Sequence, residues 1–212
     1  MTETLNDMIE FDLRERGITD ERVLNAFRRV DRNAFVPQMD AARAYDDRAL
    51  ILSHGQTISQ PFIVAAMTQA LKLNGTERVL EIGTGSGFQT AILASLVKAV
   101  YTVERIEYLA TRAEDRLLDL GFSNIHYKLG DGSKGWPEHA PYDRIIVTAA
   151  CGQLPKSLGE QLADGGILIA PIGPPDGQRL AVATKQNGQL KIDQGMECLF
   201  VKLVGAEGYG EN

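Results

Sequence analysis

The stretch Val79-Leu80-Glu81-Ile82-Gly83-Thr84-Gly85-Ser86-Gly87-Phe88 constrains the fold more than any other part of the chain. An apolar run ends in an acid and an isoleucine, and three glycines follow at alternate positions. The spacing then predicts a helix from Gln89 to Val97 and a second strand from Ala99 to Val103 that ends in Glu104. Strand, tight turn, helix and strand make a βαβ unit with a nucleotide-sized pocket at its first turn. Glycine suits such a turn because a residue without Cβ lets the backbone bend sharply and come close to a ligand. An acid at the carboxyl end of the second strand, here Glu104, can accept hydrogen bonds from both ribose hydroxyls.

A dinucleotide fingerprint wants its third glycine three places after the second, at position 88, and that position is Phe. The spacing is G-x-G-x-G instead, with Glu81 two residues before the first glycine. A carboxylate there suits a ligand with an amino group and a sulfonium, and repels a pyrophosphate. This points to S-adenosylmethionine. Three other readings stay open at this stage: an ordinary α/β turn without a ligand, an NAD-dependent oxidoreductase, and a non-enzymatic module that only binds S-adenosylmethionine.

With 212 residues the chain is long enough for one well-buried α/β domain and short for two. The expected division is a helical cover and loop over 1–54 and a cofactor-binding core over 55–212. The balance of 22 basic against 28 acidic residues gives −6 with no basic cluster, which argues against a nucleic-acid substrate. The segment Met1 to Glu10 is acidic and polar, unlike a signal peptide. No apolar run reaches the roughly 20 residues of a membrane span. Two cysteines, Cys151 and Cys198, fit a reduced protein without a disulfide framework. The expectation is a cytoplasmic monomer that engages neither nucleic acid nor membrane.

In the cover, Leu5, Met8, Ile9, Asp12 and Leu13 share a stripe that breaks at Gly17. Thr19 reads as the N-cap of a second helix carrying Val23, Leu24, Phe27 and Val30. After the βαβ core come a helix from Arg105 to Leu120 stopped by Gly121, a strand from Asn124 to Leu129, and Gly130-Asp131-Gly132. An acid between glycines at that strand's end can accept a bond from an adenine amino group. Tyr142 to Val147 is the next strand. A helix from Pro155 to Leu162, Gly165-Gly166 and a strand from Ile167 to Ile172 complete another unit. Two β-rich runs, Arg179 to Thr184 and Cys198 to Val204, with Asn187-Gly188 between them, predict an antiparallel hairpin at one sheet edge. Alternating strands and helices mean a mostly parallel, Rossmann-like sheet, here expected to hold seven strands, with the ligand outside the strands' carboxyl ends.

Just before the core lies Gly55-Gln56-Thr57-Ile58-Ser59-Gln60-Pro61. Ser59 reads as the N-cap of the helix that follows, with Pro61 in its first turn. That role does not require Gln56, Thr57 and Gln60 to crowd around it, so the loop also reads as a holder for a small polar substrate group. Other chemistry is missing. The turn after Val147, Thr148-Ala149-Ala150-Cys151, lacks the Asn/Asp-Pro-Pro-Tyr device of amino-group methylation and the Pro-Cys nucleophile of pyrimidine methylation. His54, His126 and His139 are scattered, with no metal-ligand spacing, so no metal is expected.

These motifs together resemble the protein-L-isoaspartate (D-aspartate) O-methyltransferase family over nearly the whole chain. The resemblance rests on Arg32 to Pro37, on the Gly-Gln-Thr-Ile-Ser-Gln-Pro loop, and on Val79 to Gly87 with Tyr101 to Arg105. It continues through Gly130-Asp131-Gly132, Gly135-Trp136-Pro137, Tyr142 to Ala150 and Phe200-Val201. Departures are small: Phe62 stands where Tyr or His is common, Phe88 replaces Tyr, and Lys202 occupies a position that often has Pro. The resemblance implies a repair enzyme for damaged proteins and peptides. It methylates the free α-carboxylate of L-isoaspartyl residues, with D-aspartyl residues as a second substrate, and releases S-adenosylhomocysteine. The ester then closes to a succinimide that reopens to aspartate.

The expected site follows. Ser59 is the catalytic candidate, with Thr57, Ile58 and Gln60 beside it on the substrate. Glu81, Gly83, Thr84, Gly85, Gly87, Glu104, Asp131 and Gly132 hold the cofactor. The chemistry asks for little more. An aspartyl-type carboxylate has a pKa of about 4 and is already a nucleophile at neutral pH, so no general base is needed. What remains is alignment and removal of water, which hydroxyl and backbone donors from Thr57 to Ser59 suit better than a lysine.

Overall fold

A computed structural model describes residues 4–210, so the first three residues of the Met1 to Glu10 segment lie outside the described region. In chain order the elements are α1 (Leu5–Asp7), continued by a π-helical stretch over Met8–Arg14, and α2 (Glu21–Arg29). A small hairpin of β1 (Leu50–Ile51) and β2 (Thr57–Ile58) precedes α3 (Pro61–Ala70). The core then runs β3 (Arg78–Ile82), α4 (Phe88–Ala94), β4 (Ala99–Glu104), α5 (Glu107–Asp119), β5 (Ile125–Leu129) and β6 (Tyr142–Val147). It closes with α6 (Lys156–Gln161), β7 (Leu162–Ile172), β8 (Gln178–Gln186) and β9 (Gln189–Cys198).

The main sheet has seven strands in the order β5-β4-β3-β6-β7-β8-β9. The pairs from β5 to β7 are parallel, and β8 and β9 add an antiparallel meander at one edge. The order reverses between β3 and β4 on one side and β6 on the other. A crevice opens there outside the carboxyl ends of the strands, where α/β sheets bind ligands.

Buried side chains fill both faces of the sheet. Leu80, Ile82, Val103, Ile145 and Leu168 form one cluster. Val79, Val100 and Ile146 join the other, together with α4 and the N-terminal helices. Phe88, the residue that breaks the dinucleotide fingerprint, is the pin of this second cluster. Phe27 meets its ring edge-on at 5.7 Å and Phe35 tilts against it at 5.5 Å. Each such ring contributes about 1.5–3 kcal/mol by leaving water, so the N-terminal cover is held to the cofactor unit by apolar burial.

Several local expectations change. Asp20, not Thr19, caps α2, accepting from the Arg22 amide at 2.9 Å, while the Thr19 and Asp20 amides are occupied by Gln69 Oε1. The fifth helix starts at Glu107 because Glu104 accepts from the Arg105 and Ile106 amides and keeps that corner extended. Gly165-Gly166 does not precede a strand but bulges within β7, where the register jumps from Tyr142↔Leu162 to Arg144↔Ile167. The terminal hairpin turns at Asn187-Gly188 as expected, yet its second strand is β9. That strand is solvated on both faces and so lacks the apolar alternation that marks a strand. The segment Cys198 to Val204, expected as that strand, instead leaves β9 and crosses the sheet's carboxyl ends as a strap, bridging Ala150 at Lys202.

Candidate active site

The turn between β3 and α4 is built from left-handed glycines: Gly83 has φ +96°, Gly85 +54° and Gly87 +88°. Side-chain space is absent as well as conformational freedom. A Cβ on Gly83 would come within 2.4 Å of Thr148 Oγ1, and that hydroxyl donates to the carbonyls of Ile82 and Gly83. Glu104 sits opposite at the end of β4, only 6% exposed. Its Oε2 accepts from the Gly85 amide at 2.9 Å, which locks the turn to the second strand.

Two adjoining cavities meet at this turn. One is lined by Gln56, Thr57, Gly83, Gly85, Glu104, Gly132 and Thr148, and roofed by the strap residues 201–204. The other is lined by Thr57, Ile58, Ser59, the turn residues 83–86, Phe88, Gln89 and Phe200. Thr57, Gly83, Gly85 and Thr148 belong to both, so the polar loop and the glycine turn face each other across one crevice. Three features of this cradle would suit a nucleoside ligand. The glycine backbone allows close approach, Glu104 offers a carboxylate to hydroxyls, and Gly132 leaves room where a Cβ would lie 2.6 Å from Ile82 Cγ2.

The loop is held from behind. Arg32 is fully buried, and its guanidinium donates to the carbonyls of Ser59 at 3.0 Å, Arg48 at 3.2 Å and, by a short bond, Ala44. Burial lowers its pKa to about 10, so the cation persists at neutral pH. Ser59 is not a helix cap. The N-cap of α3 is Gln60 without a side-chain bond, and the Phe62 amide is taken by Asp47 Oδ1 at 2.9 Å. The capping expectation fails because Asp47, distant in sequence, reaches the helix start first. Gln60, expected on the substrate, is likewise turned to Asp47, donating to its carbonyl and its Oδ2.

Glu81 also departs from its expected place. It is fully buried and lines neither cavity. Its Oε2 accepts from Thr90 at 2.6 Å and Thr102 at 2.7 Å beneath α4, and Oε1 has no partner among the described residues. Burial pushes its pKa up to about 8. Thr84 turns its hydroxyl inward to Thr102, extending the same network. Asp131 holds the turn that follows the strap: Oδ2 accepts from the Ala206 amide at 2.8 Å, and Oδ1 from the Ser133 amide and hydroxyl. Burial works to raise this carboxyl, yet the bonds from Ala206 and Ser133 hold it below its ordinary value.

The crevice therefore gathers Thr57, Ile58, Ser59, Gly83, Thr84, Gly85, Glu104 and Gly132. Gly87 stands just behind it as the first residue before α4, and Asp131 braces the roof. Thr148, Phe200, Val201, Leu203 and Val204 join it without having been expected there, and Lys202, one of the departures from the family pattern, lies among them. A β-branched hydroxyl right after an apolar strand was the available sign for Thr148; nothing local marks a strap. His54 lies tilted against Tyr108 at 5.1 Å, while His126 and His139 lie against Tyr101 at 4.5 and 4.9 Å. Among the described residues no group of three His, Cys, Asp or Glu is arranged to hold a metal, and no helix is long and apolar enough to cross a membrane.

Residues 3–208 match the family model described as protein-L-isoaspartate(D-aspartate) O-methyltransferase. The chain is 52% identical over 197 residues to protein-L-isoaspartate O-methyltransferase of Dictyoglomus thermophilum, covering 93% of this chain and 90% of that protein. It is 50% identical over 204 residues to the enzyme of the same name from Geobacter metallireducens, covering 96% and 94%. Among solved structures, the Plasmodium falciparum β-aspartate methyltransferase in complex with S-adenosyl-L-homocysteine superposes with a TM-score of 0.83 at 27% identity, covering 95% of this chain and 99% of that one. Sequence, topology and crevice agree, and the chain belongs to the protein-L-isoaspartate (D-aspartate) O-methyltransferase family.

Proposed function

We propose that this chain transfers the methyl group of S-adenosylmethionine to the free α-carboxylate of L-isoaspartyl residues in damaged proteins and peptides, with residues 57–59 holding the carboxylate and Glu104 the cofactor's ribose. The methyltransferase class and the cofactor follow from the family. Neither the oxidoreductase nor the non-enzymatic reading finds support among the matched proteins. One observation carries the assignment of residues: the polar loop and the glycine turn line a single crevice and share Thr57, Gly83, Gly85 and Thr148.

When bound, S-adenosylmethionine supplies a methyl group on a sulfonium. This chain's residues do the rest by placement. The Ser59 hydroxyl and neighbouring donors orient one carboxylate oxygen, which is ionised at neutral pH and needs no base. Arg32 keeps the loop in register through the Ser59 carbonyl. Ile58, Phe88 and Phe200 wall the cavity with apolar surface and exclude water. Gly83, Gly85, Thr84 and Gly132 admit the cofactor, and Asp131 acts through the strap that covers it. D-Aspartyl residues present a free carboxylate to the same loop and are proposed as a second substrate.

We assign the chain to the cytoplasm as a monomer that works as one unit, with 1–54 as cover and 55–212 as core. Free Cys151 and Cys198 support a reducing compartment. The test is transfer of a radiolabelled methyl group to an isoaspartyl peptide and to its aspartyl twin. The proposal expects base-labile label on the first peptide alone; equal labelling of both, or of neither, rejects it.

A further inference from the structure

We propose that a groove on the far side of the β1–β2 hairpin docks the polypeptide flanking the damaged residue, and that Arg112 selects an acidic side chain in that flank. This rests on the isoaspartyl reading and adds a substrate preference to it. The groove has a volume of about 690 Å³ and runs between the segment Gln38–Arg43, strand β1 and helix α5. Three of the chain's exposed large apolar side chains line it: Met39 at 90% exposure, Ile51 at 75% and Tyr108 at 53%. Scattered apolar residues on a surface need no explanation, but several lining one groove mark a binding surface.

Its charge points the same way. Arg116 is spoken for, donating to the Ser86 carbonyl at 2.8 Å and lying over the Phe35 ring. Arg112, one turn earlier on α5, makes no hydrogen bond or ion pair among the described residues. The one acid in the lining, Asp40, is paired with Arg43 at 3.3 Å. A chain of net charge −6 thus presents an unanswered cation over an apolar floor. The complementary partner is an extended apolar segment carrying an acid.

Position ties the groove to the reaction. It shares Gly85 and Ser86 with the cavity that holds Ser59. Ile51 on its wall is the register partner of Thr57 on the substrate loop. A polypeptide whose carboxylate lies at Ser59 advances about 3.3 Å per extended residue, so residues a few places away reach the groove.

The test uses isoaspartyl peptides that differ only in bearing Glu or Lys two to five residues away, on one side or the other. Steady-state methyl transfer is measured with the wild type and with Arg112→Glu. On one side, the wild type should show a KM about three- to fivefold lower for the Glu peptide at similar kcat, the scale of one exposed ion pair, and Arg112→Glu should invert the order. An unchanged ratio in the variant, or no preference in the wild type, overturns the proposal. So does a shift of the variant's oligomeric state without a shift in KM, which would make the groove a contact between copies. If no peptide is methylated, the isoaspartyl reading has failed. Fluorescence anisotropy of the same labelled peptides then decides the groove: charge-dependent binding lost in Arg112→Glu sustains it, and absence of binding sinks it.

Discussion

Ser59→Ala separates scaffold from chemistry in this site. Had Ser59 capped α3, its loss would cost about 1 kcal/mol. The N-cap residue, Gln60, makes no side-chain bond to the helix; Asp47 takes over that bond from outside, accepting from the Phe62 amide, and also holds Gln60. Ser59 enters the fold through its carbonyl, which Arg32 binds and alanine preserves. The stability cost of Ser59→Ala is therefore within about 0.5 kcal/mol, the range of a substitution away from special features, whereas Asp47→Ala costs about 1 kcal/mol or more. The effect on turnover is the reverse. A hydrogen bond to a carboxylate is strongest before the charge is lost in ester formation, so the hydroxyl helps by alignment and not by charge stabilisation. Misplacement by about 1 Å costs on the order of a hundredfold. Ser59→Ala should lower kcat by about that factor while the KM for cofactor moves little. Urea unfolding and steady-state methyl transfer on one preparation give both numbers. Full kcat in Ser59→Ala, or a cap-sized loss of stability, would refute the reasoning.

Other perturbations probe the remaining parts. Glu104→Ala should weaken S-adenosylhomocysteine binding by about 1.5–3 kcal/mol, the scale of a hydrogen bond to a charged group, and calorimetry that finds an unchanged Kd in a folded variant removes Glu104 from the site. Gly83→Ala forces a left-handed side chain, which costs about 1–2 kcal/mol, and drives its Cβ against Thr148; a variant with wild-type stability and affinity would show the turn to be looser than described. Glu81 titrates at about 8 in the fold against 4.5 ordinarily, so its protonated form is the one the fold favours. Its contribution is complete below about pH 4.5 and is lost as pH rises through about 8. Relative to Glu81→Gln, the wild type should therefore lose up to about 1.4 kcal/mol per pH unit across that window; parallel stability profiles for the two proteins would contradict this. Replacing His54, His126 or His139 singly should leave turnover within about tenfold, and a thousandfold loss in any folded variant would reveal a general base.

The frame was legible because glycine spacing and apolar runs are local signals. Val79 to Glu104 read directly as strand, turn, helix and strand, and the loop from Gln56 to Ser59 read as a polar segment, which does line the crevice. What was misread depends on long-range partners. Ser59 looked like a cap because nothing in its neighbourhood reveals that Asp47 claims the helix start. Glu81 looked like a ligand because its position before Gly83 says nothing of Thr90 and Thr102, which hold it under α4. The strap was taken for a strand because Phe200 and Val201 are apolar in either role. Its anchors, Ala150 and Gln178, and those of the turn after it, Asp131, Ser133 and Ser157, lie on other elements. The solvated strand β9 left no apolar pattern to read.

The most direct measurement follows a purified isoaspartyl peptide by chromatography while this chain and S-adenosylmethionine are present. The isoaspartyl peptide should be consumed through its methyl ester and a succinimide, and the aspartyl peptide should accumulate over repeated cycles. A peptide pool that stays isoaspartyl, or an ester that forms on the aspartyl peptide, would contradict it.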